Sequence, residues 1–89
     1  MNKIFITGGA GFIGSHIAEF FFNKYKKTQI IILDKVTYAG NLSFLKNIIK
    51  SKRVKFIKAD IVNYKKYEKD LKNVDLALNV AAESHVDRS

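Results

Sequence analysis

At 89 residues the chain has room for one small domain, and it carries no cysteine, which excludes disulfide staples, thiolate metal sites and a cysteine nucleophile. Its strongest apolar run, Ile30 to Leu33, is far too short for a membrane helix, and the start of the chain lacks the apolar stretch of a signal peptide, so a soluble, cytoplasmic protein with no membrane partner is expected. Lys and Arg number 16 against 8 acids, for a formal charge of +8, but Arg53 and Arg88 are the only arginines and the lysines are dispersed; Arg being the preferred base reader, the excess reads as a solvated exterior and no nucleic-acid partner is expected.

Lys3 to Thr7 reads as a buried strand, and Gly8 to Gly11 as a glycine-rich turn. Phe12 to Tyr25 reads as a helix with Ile13, Ile17, Phe20 and Phe21 at helical spacing. Phe20, Phe21 and Phe22 are consecutive, so they cannot share one face. Lys24, Lys26 and Lys27 suit the negative end of the helix dipole. Gln29 to Leu33 forms a second strand, ending at Asp34. Asn41 or Ser43 is placed to cap a second helix running to Lys50. Val54 to Lys58 is a third strand, followed by Ala59 and Asp60. Asn63 opens a predicted third helix to Lys72, with Tyr64, Tyr67 and Leu71 on one side and Glu68 and Lys72 as an i, i+4 ion pair. Val74 to Asn79 is a fourth strand, and Ala81 to Ser89 a polar loop.

Strands joined through helices run parallel. The expected fold is therefore α/β: a partial Rossmann fold, with a parallel sheet built β-α-β-α-β-α-β in the strand order 3-2-1-4. Residues 1–89 would form the N-terminal part of a dinucleotide-binding domain.

Gly8, Gly11 and Gly14 form a G-x-x-G-x-x-G pattern between the first strand and the first helix. Gly8 would allow the sharp turn out of the strand. Gly11 would let backbone N–H groups approach a pyrophosphate, and Gly14 would let the helix pack closely on the sheet. The helix N-terminus adds oriented N–H groups and partial positive charge. Glycines alone are weak; the strand before, the helix after and an acid at the end of the next strand strengthen the reading.

That acid is Asp34. A carboxylate here can accept from both hydroxyls of an adenosine ribose and would repel a 2′-phosphate, which favours NAD over NADP; Lys35 beside it could tolerate a phosphate. Asp60 and Ile61 hold the equivalent place after the third strand. Asp60 could accept from an adenine amino group and Ile61 could cover the ring, or Asp60 could cap the helix that follows.

Two further segments narrow the reading: Asp34-Lys35-Val36-Thr37-Tyr38-Ala39-Gly40-Asn41-Leu42 and Ala81-Ala82-Glu83-Ser84-His85-Val86-Asp87-Arg88-Ser89. Together with Thr7-Gly8-Gly9-Ala10-Gly11-Phe12-Ile13-Gly14-Ser15, they resemble the dTDP-glucose 4,6-dehydratases of the extended short-chain dehydrogenase/reductase superfamily, in order and spacing along the whole chain. The resemblance implies an NAD cofactor, with Phe12 and Ile13 at the pyrophosphate, Asp34, Lys35, Val36 and Thr37 around the adenosine ribose, Asp60 and Ile61 at the adenine, and Val80, Ala81, Ala82, Glu83 and Ser84 along the cofactor. It implies sugar-nucleotide contacts from Ser84, with His85 and Arg88 nearby. Asn79-Val80 departs from the more usual His-Leu. The implied reaction converts dTDP-glucose to dTDP-4-dehydro-6-deoxyglucose and water, a step toward rhamnose and other deoxysugars, in an enzyme that is a homodimer when complete.

The superfamily's Tyr-x-x-x-Lys pair is absent. Tyr25, Tyr38, Tyr64 and Tyr67 are followed four residues on by Gln29, Leu42, Glu68 and Leu71. No Thr-Asp-Glu segment occurs either. These 89 residues are expected to hold no catalytic group and to be inactive alone, with the catalytic segment and sugar-binding region lying further on. Ser84, His85 and Asp87 are sequence neighbours, not convergent members of a hydrolytic triad. His16 reads as a helix-surface residue, and two histidines without cysteine favour no metal site.

Overall fold

The computed structural model describes residues 2–8, 11–35 and 43–80. Its strands are β1 (Lys3–Thr7), β2 (Gln29–Asp34), β3 (Val54–Lys58) and β4 (Leu76–Asn79), with one α-helix, α1 (Phe12–Lys24), among the described residues. They form a single sheet in the order β3-β2-β1-β4, and every pairing is parallel. The expected α/β class and strand order are both found.

Period-two alternation sorts the strand side chains onto two faces. Ile4, Ile6, Ile30 and Ile32 pack on one face with Ala18 of α1 and with Leu45 and Ile48. Phe5, Ile31 and Leu33 pack on the other with Ala59 and Tyr67. Both faces are covered, so β1 and β2 are continuous apolar runs, as buried parallel strands require. The edge strands are only half buried.

α1 turns a different side to the sheet than its large apolar residues suggest. Gly14, Ser15 and Ala18 are its buried residues. Ile13 and Phe20 are exposed, while Ile17, Phe21 and Phe22 pack partly against the core. Close approach of helix to sheet selects small residues at the line of contact and leaves the larger ones to flank it or face outward.

The second and third predicted helices are not α-helices. Ser43–Leu45 is a single 3-10 turn, followed by further turns to Lys50. Ile48 and Ile49 both donate to the Leu45 carbonyl, at 3.0 and 2.8 Å. So short a segment, with β-branched Ile48 and Ile49 and with Asn47, gains little to offset helix nucleation. The third crossover holds two 3-10 turns, Tyr64–Lys66 and Glu68–Leu71. Its bonds span three residues throughout: Lys66 to Asn63, Tyr67 to Tyr64 and Asp70 to Tyr67. In an α-helix Lys65, Lys66, Lys69 and Lys72 would crowd like charges three and four apart. No ion pair joins Glu68 to Lys72 among the described residues; Asp70 instead meets Lys55 of β3 at 2.8 Å.

Arg53, in the turn before β3, fastens the far end of α1. Its guanidinium donates to the carbonyls of Phe22, Tyr25 and Thr28 at 3.0, 2.8 and 3.0 Å, and lies 4.0 Å from the centre of the Phe22 ring. Carbonyls at a helix C-terminus lack intrahelical donors, and a planar cation with several N–H groups satisfies them together. Lys24, in the last turn as expected, lies over the rings of Phe20 and Tyr25.

The start of β1 is tied to the start of β4. Asp75 accepts from the N–H groups of Asn2 and Lys3 at 2.6 and 3.0 Å, and these bonds, that of Asn2 foremost, hold its carboxyl below the usual aspartate range. Asn73, at φ 64°, makes the left-handed turn into β4, and strand pairing begins at Leu76, two residues later than predicted.

Candidate functional site at the carboxyl ends of the strands

Register brings the strand ends into one row. Thr7 pairs with Leu33 of β2 and Asn79 of β4, and Asp34 pairs with Lys58 of β3. Gly8, Asp34, Lys35, Ala59, Asp60 and Val80 therefore emerge at the same edge. The backbone fastens them there: Gly8 N–H donates to Leu33 O at 2.7 Å, Ala59 N–H to Asp34 O at 3.1 Å, and Val80 N–H to Thr7 O at 2.8 Å.

Gly8 has φ 79°, the left-handed region where a side chain is costly, and this turns the chain out of β1. Thr7, just before it, is buried, and its hydroxyl donates to Asn79 Oδ1 at 2.6 Å. That contact fixes the first turn to the end of β4. Nothing in the local sequence at Thr7 points to Asn79, because the pairing exists only once β4 has docked.

The chain re-enters at Gly11, the residue that caps α1. Gly11 is extended, at φ −76° and ψ 175°, and makes no side-chain cap bond. The first bond of the helix runs from Ser15 N–H to Gly11 O at 2.8 Å. The N–H groups of Phe12, Ile13 and Gly14 thus have no acceptor within the helix, and no acid stands in its first turn. An uncapped N-terminus with partial positive charge is suited to an anion. Gly14 is buried against the sheet, as the close-packing reading requires. Phe12 and Ile13 project outward, and an apolar groove of about 360 Å³ begins at them and runs along the outer side of α1 past His16, Ile17, Phe20 and Phe21. His16 is a surface residue, its Nδ1 2.9 Å from Phe12 O.

Asp34 stands at the end of β2, half exposed, and Lys35 follows it with its side chain in solvent. Across the row, Lys35 Nζ lies 3.5 Å from Asp60 Oδ2. The other oxygen of Asp60 accepts from Val62 N–H at 3.1 Å, and its carbonyl accepts from Asn63 N–H at 2.9 Å. The Val62 N–H, and after it the Lys35 ammonium, hold the Asp60 carboxyl below the usual aspartate range, against a desolvation that acts the other way. Of the two roles open to Asp60 in the sequence, the structure displays the turn-capping one, at the start of 3-10 turns in place of an α-helix. Asn63, expected to open that helix, makes no side-chain cap bond. The Ile61 carbonyl takes the Tyr67 hydroxyl, which fixes its backbone, while the Ile61 side chain is exposed beside Asp60.

The row thus gathers Gly8, Gly11, Phe12, Ile13, Gly14, Asp34, Lys35, Asp60, Ile61 and Val80. Val36, Thr37, Ala81, Ala82, Glu83, Ser84, His85 and Arg88 lie outside the described residues. No helix of the described residues is long and apolar enough to cross a membrane.

Residues 5–89 match the family described as GDP-mannose 4,6 dehydratase. The chain belongs to this family. All of it aligns with dTDP-D-glucose 4,6-dehydratase of Dictyostelium discoideum at 41% identity over 91 residues, covering 21% of that protein. Among solved structures, dTDP-glucose 4,6-dehydratase from Bacillus anthracis in complex with NAD superposes with a TM-score of 0.84 at 38% identity, covering 94% of this chain and 28% of that one. The enzyme of the same name from Streptomyces venezuelae, also with NAD bound, gives 0.78 at 40% identity, covering 98% of this chain and 28% of that one. The chain spans between 21% and 28% of the length of these relatives. Within this GDP-mannose 4,6 dehydratase family, its sheet order matches the Rossmann-like NAD-binding region of the dehydratases.

Proposed function

We propose that these residues supply the NAD-binding part of a dTDP-glucose 4,6-dehydratase. The observation that carries this reading is the convergence of the uncapped N-terminus of α1 with the ends of β1, β2 and β3 along one edge. Ligands of open parallel sheets lie outside the carboxyl ends of the strands. In this arrangement the N–H groups of Phe12, Ile13 and Gly14 receive the pyrophosphate, Asp34 accepts from the adenosine ribose hydroxyls, and Asp60 and Ile61 border the adenine. Val80 leads the chain from β4 toward the rest of the cofactor, and Val36, Thr37 and Ala81 to Ser84 follow by resemblance. His85 and Arg88, with Ser84, would face the sugar nucleotide.

Bound NAD supplies the capacity to accept and return a hydride. The part of this chain is to orient it. Neither a Tyr-x-x-x-Lys pair nor a Thr-Asp-Glu segment occurs in the 89 residues, so the groups that move protons on the sugar belong to the remainder of the relatives' length. dTDP-glucose is preferred as the substrate of the whole enzyme on the strength of its named relatives. GDP-mannose is the second reading, favoured by the description of the family itself.

Gly11→Val tests the dinucleotide site. The backbone at Gly11 is extended and tolerates a side chain, so the fold should persist. A branched side chain there blocks close approach of a phosphate to the helix N-terminus. Losing one charge-assisted bond would weaken NAD binding by about tenfold or more in calorimetry. Unchanged NAD affinity in a folded Gly11→Val chain would contradict the reading. Turnover of dTDP-glucose by the unaltered chain would contradict its second half, that the proton-moving groups lie elsewhere.

A further inference from the structure

Asp34 favours a free 2′-hydroxyl in the reading above, yet a lysine follows it, and a lysine beside the ribose is what a 2′-phosphate would need. Nothing in the sequence decides between the two neighbours. The structure adds a third group. Asp60, two strands away from β1 and one beyond β2, reaches back across the row to Lys35 Nζ at 3.5 Å. We propose that Asp60 acts as a specificity residue, holding the Lys35 ammonium so that it is not offered to a 2′-phosphate and thereby favouring NAD over NADP. This rests on the dinucleotide reading of the site.

Three features support it. The Asp60 carboxylate is itself fixed, because Oδ1 is engaged by Val62 N–H at 3.1 Å while Oδ2 faces the lysine. The Val62 and Asn63 N–H groups both bond to Asp60, so the tether point moves with the turn and not with a loose side chain. Finally, one lysine set between two carboxylates leaves the trio Asp34, Lys35 and Asp60 net negative, which repels a phosphate dianion. Removing the Asp60 charge both frees the ammonium and makes the trio neutral. Lys35 is exposed and Asp60 half-buried, so the restraint is modest and a few-fold effect is expected.

The test is the ratio of NADP to NAD affinity, measured by calorimetry on the 89-residue chain. D60N retains an oxygen for Val62 N–H and removes the charge. It should move the ratio toward NADP by about three- to tenfold. D60S, whose hydroxyl oxygen can also accept from Val62 N–H, serves if D60N does not fold. The decisive comparison is D60N/K35M against K35M alone: if Lys35 is the cation released, most of the gain from Asp60→Asn disappears in the K35M background. An unmoved ratio in D60N and D60S overturns the proposal while leaving the dinucleotide reading intact. An undiminished gain in D60N/K35M over K35M also overturns it, since Asp60 would then act by repulsion alone or the phosphate would have found another cation such as Lys58. Failure of the unaltered chain to bind either dinucleotide overturns the dinucleotide reading and this inference with it.

Discussion

The two halves of the chain are built differently. From β1 through α1 to β2, the strands are buried on both faces, and a helix of 13 residues covers one of them. From β3 to β4, the crossover is two 3-10 turns and both strands are half buried. The site draws on both. In the proposed dinucleotide site, phosphate recognition would fall to the first half, where rigid N–H groups are needed. The Lys35–Asp60 pair, and with it the proposed adenine border, depends on the second, where a short turn places a carboxylate across the row. Apolar burial is concentrated where the pyrophosphate would be held, so loss of core packing should act on the two halves unequally.

The largest expected effect compares two residues that face each other in register. Ile30 is fully buried and Val54, its partner in β3, is half buried. Ile30→Ala should cost about 2–5 kcal/mol. Val54→Ala removes two half-buried methyl groups and should cost about 1 kcal/mol. Urea unfolding of both variants checks the contrast, and equal losses would erase it.

Next comes the clasp between the halves. Arg53→Met keeps much of the apolar stem over Phe22 but removes the guanidinium that three carbonyls share. About 1–3 kcal/mol should be lost, with amide exchange accelerating first at the end of α1. Exchange unchanged between Phe21 and Tyr25 would mean that the clasp contributes nothing locally.

Gly8→Ala should cost about 1–2 kcal/mol, because φ 79° places a Cβ against the following carbonyl. The same change at Gly11, where φ is −76°, should be nearly neutral for stability. Thermal melts of the two variants compare a glycine required by the turn with one proposed to serve a ligand.

The smallest effect is at Asp75 and concerns pH. Its folded pKa is depressed by the Asn2 and Lys3 N–H groups. Its contribution is therefore complete above the unfolded aspartate value of about 3.9 and is lost as pH falls through the lower folded value. Asp75→Asn should flatten the acid side of the stability curve, leaving a residual slope from Asp60, whose carboxyl is depressed in the same direction. An unchanged acid limb would show that Asp75 does not couple β1 to β4.

The strands, the turn at Gly8 and the helix after Gly11 were legible in the sequence, because continuous apolar runs and glycine spacing are local signals. Asp34 and Asp60 were legible as strand-end acids. The buried side of α1 was legible only in part. Glycine spacing marks Gly14 as the close-packing residue, and Ile17 and Phe21 do pack against the core. Helical spacing also picks Ile13 and Phe20, which are exposed, and misses Ser15 and Ala18. The later crossovers looked helical because Asn41 or Ser43 offered a cap for one, and because Tyr64 and Tyr67 in the other recur at a spacing that α and 3-10 geometry share. Arg53 with the end of α1, Thr7 with Asn79 and Lys35 with Asp60 are contacts between distant segments. Their residue types are ordinary in a lysine-rich chain, and only the folded register brings them together.

The most direct test of the dinucleotide site is a titration of the isotope-labelled chain with NAD, followed by backbone amide and carboxylate NMR shifts. Shifts at Gly8, Gly11, Phe12, Ile13, Asp34 and Asp60 should saturate together with one Kd, and ADP should reproduce those at Gly11 to Ile13. Shifts confined to the outer groove of α1 or to Val62 through Lys66, or no saturable shift at all, would contradict a dinucleotide site at the carboxyl ends of the strands.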